Sequence, residues 1–350
     1  KGEPRKPYCL VLSLVNPHDV LGYPKSVQFG YTPDEYTGRT ITDLPPTVTE
    51  QLLKNGKPMA QLQTNIAADG LLGVLRNDDM KLNYLNFYAY LLTKIDGEIG
   101  KFIDVLYDDT KGRRLADDAV VIRLADHGEM GMSHGGMRQK AFVAYEEALR
   151  IPMVISNPIV FNKKESSDEL ATLIDIFPTI SEIVGVPKDS NSRGESLIPI
   201  IEEGKSVQDS ILFTFDDTKS GSNNLPSSVK ATNRLRAIRT HDWKYTYYFD
   251  SLGRYQKEYE LYDLTNDIEE LHNLAYKPKY REQREYLHQQ LMKLEERKLR
   301  VNEVFVNKNN QYEYKTWVET NPNFETYAYN NIEGYERESF DINEEKNTEK

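Results

Sequence analysis

The stretch "AVVIRLADHGEMGMSHGGMRQKAFVAYEEALRIPMVIS", Ala119 to Ser156, decides how this chain is read. It opens on an aliphatic run that reads as a strand ending at Asp126 and closes on "IPMVIS", a second short apolar strand. Between them lie two of the six histidines, several glycines and Lys140. Acid, imidazole and ammonium groups gathered between two strands form either a polar connection or one wall of an active site.

Working upstream, "YCLVLSLV" (Tyr8 to Val15) reads as a buried strand that stops at the turn-forming "NPHD". Inside it, Cys9 reads as a buried, inert thiol. Residues 22–80 are rich in Pro, Gly, Asn and Asp without a period, which predicts a long irregular excursion over a surface. From Tyr84 to Leu106 apolar residues recur at three- and four-residue steps, so a long amphipathic helix is expected. Downstream, "ELATLIDIFPTISEIVGV" reads as a helix in which Pro178 places a break or a fresh start. Strands alternating with helices indicate an α/β domain with a mostly parallel central sheet flanked by helices.

Composition shifts after about residue 205. Asp216 to Asn233 reads as a loop, "LRAIRTHDWKYTYYF" and "YELYDL" as short aromatic strands, with "THDW" as a hairpin turn. Residues 279–300 read as a charged helix with Leu287, Leu291 and Leu294 on one face. These predict a small C-terminal antiparallel sheet plus helix. The tail from Val301 carries Tyr312, Tyr314, Trp317, Phe324, Tyr327 and Tyr329, and its aromatics suggest docking on its own surface or on that of a second copy. The expected division is therefore 1–205, 206–300 and 301–350.

Bulk properties limit the function classes. With 39% hydrophobic and 28% charged residues, the 350-residue chain has the composition of a globular protein. A balance of 44 basic against 55 acidic residues, net −11, with no basic run, argues against nucleic acid as a partner. No apolar run reaches the ~18 residues of a membrane span. A single cysteine excludes an intrachain disulfide and a thiolate metal cage and fits cytoplasm and periplasm alike. The opening, "KGEPRKPYCLVLSLV", has neither Met nor a signal peptide and reads as part of a longer polypeptide.

In an open parallel sheet, ligands bind beyond the carboxyl ends of strands. Two strands deliver polar groups there: one leads to Asn16 and His18, the other to Asp126 and His127. Gly128 makes a turn easy, and a turn would let Asp126 and His127 converge on one cation. Read without that convergence, Asp126 is a cap and His127 a surface histidine. Lys140 is an anion clamp or a solvated lysine. Glu129 and His134 are candidates to support these groups, and His134 reads equally as a packed loop histidine. Glu146, Glu147 and Arg150 read as a structural ion-pair set on a short helix, and His241, His272 and His288 as surface residues. No G-x-S-x-G elbow supplies a nucleophile.

Five segments in order resemble the sulfatase family of the alkaline phosphatase superfamily. They are "KPYCLVLSLVNPHD", "NFYAYLLTKIDGEIGKFIDVL", "DHGEMGMSHGGMRQKAFVAYEEALRIPMVISNP", "LIDIFPTISEIVGV" with "GESLIP", and "YELYDLTNDIEELHNLA". The resemblance implies a formylglycine-dependent sulfuric ester hydrolase acting on a small-molecule or glycan sulfate. By it, Asp126 and His127 match a pair of metal ligands, usually for calcium, with manganese or magnesium as alternatives. His18 matches the histidine near the leaving-group oxygen and Lys140 the lysine that contacts the sulfate. The family's C/S-x-P-S-R nucleophile motif and its early Asp-Asp pair are absent, so they are expected in an N-terminal part outside this sequence. The phosphonate monoester and phosphodiester hydrolases of the same superfamily use the same residues. A non-catalytic protein that binds sulfated glycans is the third reading.

Overall fold

The computed structural model describes residues 8–299 apart from 39, 111, 113, 162–164, 190, 218–228, 251 and 252. The aromatic tail, most of the expected 216–233 loop and the first residues of the chain lie outside the described residues. In chain order the helices and strands are α1 (Met59–Leu72), α2 (Asp78–Tyr107), β1 (Val121–Leu124), the single turn α3 (Ser133–Gly136), α4 (Glu146–Leu149), β2 (Met153–Ser156), α5 (Ile176–Ile183), α6 (Ile198–Glu203), β3 (Ile211–Asp216), β4 (Arg234–Arg239), β5 (Trp243–Phe249), β6 (Glu258–Asp263) and α7 (Arg281–Leu299). None of the described helices is long and apolar enough to cross a membrane.

The long helix forms where its period places it. Asn77 caps α2 by accepting from the Met80 N–H at 2.9 Å, and Asp78 and Asp79 favour the positive end of its dipole. Its buried face sets Tyr84, Phe87 and Leu91 against Val20, Tyr23, Tyr36 and Met132. One helix thus supports both the "NPHD" turn and the glycine-rich stretch after β1. Near α5, Pro178 occupies the first helical turn, where its missing N–H costs nothing, and Thr172 and Asp175 form a capping box just before it.

β1 and β2 form where expected but pair antiparallel, Val121 opposite Ser156 and Leu124 opposite Met153. The α/β class stands; the parallel pairing expected in its central sheet has no example among the described residues. Tyr8 to Val15, expected as a buried strand, forms no strand pairing, with Leu10, Val11, Leu12 and Val15 all more than half exposed. A strand needs a neighbour for its backbone groups, and no described element runs beside this one. Cys9 is likewise exposed, which corrects the expectation of a buried thiol.

The irregular stretch also needs correction. The described residues of 22–58 are 3-10 turns and loops, but α1 is a regular helix of 14 residues. Its buried positions are Ala60, Gln61, Thr64 and Ala68, small or polar side chains that carry no hydrophobic period.

The C-terminal part follows its sequence closely. β3, β4, β5 and β6 form one antiparallel sheet in that order. The β4–β5 turn is closed by Thr240, whose N–H donates to the Trp243 carbonyl and whose hydroxyl accepts from the Trp243 N–H. α7 lays Leu287, Leu291 and Leu294 on Ile238, Tyr245, Tyr247 and Leu261. Arg236 grips Asp216 through both terminal nitrogens and reaches Glu295 at 3.1 Å, which ties α7 to the sheet. Leu291 is fully buried here, so Leu291→Ala should cost about 2–5 kcal/mol of stability in urea unfolding.

Candidate functional site

β1 ends one residue before Ala125, and the chain turns sharply through Asp126, His127 and Gly128. Gly128 donates its N–H to the Ala148 carbonyl, and a Cβ there would lie 1.9 Å from the Glu147 carbonyl oxygen. Only glycine lets the turn press against α4. Asp126 Oδ1 accepts from the His127 N–H at 3.0 Å, leaving Oδ2 at 3.3 Å from His127 Nε2. His127 Nδ1 sits 2.9 Å from the Gly128 carbonyl, which can only accept, so Nδ1 carries a proton. Nε2 is then the ring nitrogen left to face the outer oxygen of Asp126, and both groups are solvent-accessible. Two lone-pair donors side by side on a turn fit a shared divalent cation. They fill only part of a coordination shell: no cluster of three His, Cys, Asp or Glu residues suited to a metal occurs among the described residues.

From Glu129 to Lys140 the chain doubles back. Met130 N–H donates to the Gln139 carbonyl and Met132 N–H to that of Met137. Glu129 ties the doubled segment by accepting from the Gln139 N–H at 2.9 Å and from the Tyr84 hydroxyl of α2. Burial pushes the Glu129 carboxyl up, against these bonds and the charge of Lys140. Gln139 is left-handed, at φ 74°, so the half-buried Lys140 emerges from a strained corner.

His134 sits at the tip of the loop with no solvent exposure. Its Nδ1 is 2.6 Å from Glu50 Oε2 and its Nε2 is 3.5 Å from Glu147 Oε1. Its ring stacks on Tyr145 at 3.7 Å. Lys57 lies 3.3 Å from Glu50 and donates to the Tyr262 hydroxyl at 2.8 Å. The hydroxyls of Tyr145, Tyr248 and Tyr262 and the amide of Gln61 all converge on the buried carboxylate of Glu260. A second set fastens α4 to the sheet: Lys244 of β5 lies 2.7 Å from Glu146 and 2.9 Å from Glu270. Burial raises the Glu270 carboxyl despite Lys244, whereas for Glu146 the charges of Lys244 and Arg239 outweigh burial and lower it. The expected Glu146–Glu147–Arg150 set is therefore divided. Glu146 pairs with Lys244 and Arg239, Glu147 with His134, and Arg150 is exposed.

His18 lies on a 3-10 turn, exposed, with Nδ1 3.9 Å from Asp19. Asn16 accepts from the Asp19 N–H, and Tyr31 bridges Asn16 and Asp19. Val20 and Met132 share a core, so the His18 turn and the loop after His127 pack through the same side chains. Asp126 and His127 are in contact, and Glu129 links the loop to the residue before Lys140. No described hydrogen bond or ion pair joins His18 or Lys140 to the Asp126–His127 pair. His241 and His272 are exposed as expected, whereas His288 is half-buried against Tyr245. Glu50, Lys57, Gln61, Tyr145 and Glu260 were not singled out from the sequence, because nothing in their spacing distinguishes a buried polar group from a solvated one.

Comparison with known proteins gives concordant matches. A family profile described as "Sulfatase" matches residues 1–186, and one described as "N-sulphoglucosamine sulphohydrolase, C-terminal" matches residues 134–297. The chain is 24% identical over 290 residues to a Δ4,5-hexuronate-2-O-sulfatase of Bacteroides thetaiotaomicron, covering 79% of this chain and 54% of that protein. It is 28% identical over 204 residues to human arylsulfatase K, covering 56% of this chain and 34% of that one. A structure solved with its substrate D-glucosamine-2-N,6-O-disulfate superposes with TM-score 0.62 at 18% identity, over 77% of this chain and 62% of the other. The phosphonate monoester hydrolase of Agrobacterium radiobacter superposes with TM-score 0.60 at 20% identity, over 84% and 58%. At these identities the structures show a shared fold, that of alkaline-phosphatase-like sulfatases. The chain spans about half the length of the hexuronate sulfatase it matches.

The buried ion set on α4 yields a stability test. Lys244→Met leaves Glu146 and Glu270 facing each other without their shared cation and should cost about 3–5 kcal/mol in urea unfolding at neutral pH. Adding Glu270→Gln to Lys244→Met should recover part of that loss.

Proposed function

We propose, from the premise that the chain belongs to the sulfatase family, that it supplies one wall of a metal-assisted sulfuric ester hydrolase. The observation that carries this reading is the turn at the end of β1, where Asp126 Oδ2 and His127 Nε2 lie side by side. In this reading residues 1–205 are the C-terminal part of the catalytic domain and residues 206–300 a small subdomain. The nucleophile, a formylglycine, and the remaining metal ligands belong to a segment upstream of Tyr8. The uncovered apolar side chains of Leu10, Val11 and Val15, on one run of chain, support this, since such a run calls for more polypeptide against it.

Asp126 and His127 would hold a divalent cation, calcium in the first instance, which would neutralise charge on the sulfate oxygens. Lys140, carried on its strained corner, would hold a non-bridging or leaving-group oxygen as a point charge. His18, free in solvent on a pinned turn, would give its proton to the departing alcohol. The substrate class proposed is a sulfated sugar, because the hexuronate sulfatase and the glucosamine-disulfate complex are among the matches. Glu129 would act from behind, keeping the residue before Lys140 in place.

In the polypeptide that includes the nucleophile, Lys140→Ala should lower turnover of nitrophenyl sulfate by about 10²-fold or more. Unchanged turnover removes Lys140 from the reaction, and faster hydrolysis of a phenyl phosphonate ester than of the sulfate replaces the sulfatase reading with the phosphonate one. Asp126→Ala should abolish stoichiometric divalent metal in elemental analysis; retained metal refutes the ligand assignment.

A further inference from the structure

His134 contacts neither Asp126 nor Lys140, yet it is the most constrained side chain of the loop. Its backbone is left-handed, φ 49° and ψ 64°, a region that residues with a Cβ seldom occupy. Its N–H donates to the Thr47 hydroxyl at 3.0 Å. Each ring nitrogen faces a carboxylate: Nδ1 is hydrogen-bonded to Glu50 at 2.6 Å, while the buried Nε2 makes no hydrogen bond and meets Glu147 as a charge contact at 3.5 Å. Carboxylates accept and do not donate, so the ring satisfies both only with a proton on each nitrogen.

The surrounding groups bear on that charge from every side. Thr47, Glu50 and Lys57 come from the segment before α1, and Glu147 and Tyr145 from α4 and the residue before it. Tyr262, Glu260 and Glu270 lie beyond Lys57. Burial and Lys57 oppose a cationic ring, while Glu147 and Glu50 favour it.

We propose that His134 is a positioning residue: as an imidazolium clamped between Glu50 and Glu147, it holds the Gly128–Lys140 loop to α1's leading segment and to α4, and it loosens that hold when it loses its proton. The weaker Glu147 contact breaks first, because the remaining proton stays on Nδ1 with the nearer Glu50. The clamp stands on the loop geometry alone; only its effect on turnover rests on the sulfatase reading.

The sign follows from the partners. Burial would lower the imidazole, but the hydrogen bonds and charges of Glu147 and Glu50 raise it from 6.5 to about 8. The stabilisation is therefore complete below pH 6.5 and is lost as pH rises through 8. That difference corresponds to about a 30-fold change in the closed-to-open ratio of the loop.

The test uses the full chain with 15N-labelled histidine. At pH 6.5, NMR should show both His134 nitrogens protonated, with a titration centred near pH 8. Amide exchange of Met130, Met132 and Met137, corrected for intrinsic rates, should lose up to about 30-fold protection by pH 9. Glu147→Gln should move the His134 titration downward, and His134→Gln should remove the pH dependence of exchange. A neutral ring at pH 6.5, flat protection in the unmodified chain, or a wild-type pH response in His134→Gln overturns the clamp. Because the NMR reading needs no variant, a misfolded His134→Gln leaves the test intact. In the nucleophile-bearing polypeptide, kcat should fall with the same ionisation. Absence of any sulfate-ester turnover while the NMR and exchange results hold refutes the function and upholds the clamp.

Discussion

Glu260 is almost fully buried, and its carboxylate is stabilised by Tyr248, Tyr262 and Gln61 donating to it, with the Tyr145 hydroxyl shared between Gln61 Oε1 at 2.8 Å and Glu260 at 3.2 Å. Tyr262 in turn takes the Lys57 ammonium, Lys57 neutralises Glu50, Glu50 binds His134, and His134 stacks back on Tyr145. The circuit closes on itself. It joins three parts of the chain far apart in sequence: the segment before α1, the loop after β1 and the C-terminal sheet. The chemistry proposed for Asp126 and Lys140 depends on this circuit, since the loop that separates them has little regular structure of its own.

Such a core differs from an apolar one in what it tolerates. Leu, Ile and Val cores accept volume-conserving swaps at modest cost. A buried polar circuit does not, because deleting one member strands a charge or a donor that water cannot reach. Buried ion pairs often add little net stability over apolar residues of the same size. Their effect here is geometric: the left-handed residues Met132, His134, Gln139 and Phe142 describe a path that dispersion forces alone would not select.

What could be read from the sequence divides along the same line. α2 and α7 were legible because Tyr84, Phe87, Leu91 and Leu287, Leu291, Leu294 recur with the helical period, and the β4–β5 hairpin because "THDW" separates "LRAIR" from the aromatic "KYTYYF". α1 was not, since the face it buries is Ala60, Gln61, Thr64 and Ala68. Tyr8 to Val15 carries every local mark of a buried strand, but burial is a property of what lies beside it. Asp126, His127, His18 and Lys140 came forward as polar groups after the apolar runs, and family resemblance over several segments is what gave them roles. The contact between Asp126 and His127 follows from their adjacency, whereas the relation of His18 to the loop needed the shared packing of Val20 and Met132. Glu50 and Glu260 gave no sign, because a carboxylate that ends in a core and one that ends in water are written with the same letter.

The unpaired run from Leu10 to Val15 also bears on how the chain behaves as a material. Apolar and outside any strand, it carries backbone N–H and C=O groups that no sheet partner takes, beside side chains that gain by leaving water. Any strand that arrives first can take the vacancy, including the same segment of another molecule. Any strand of the same chain that came to lie there would compete with self-adhesion, and the outcome of that contest would be set by concentration and timing during synthesis as much as by the folded state.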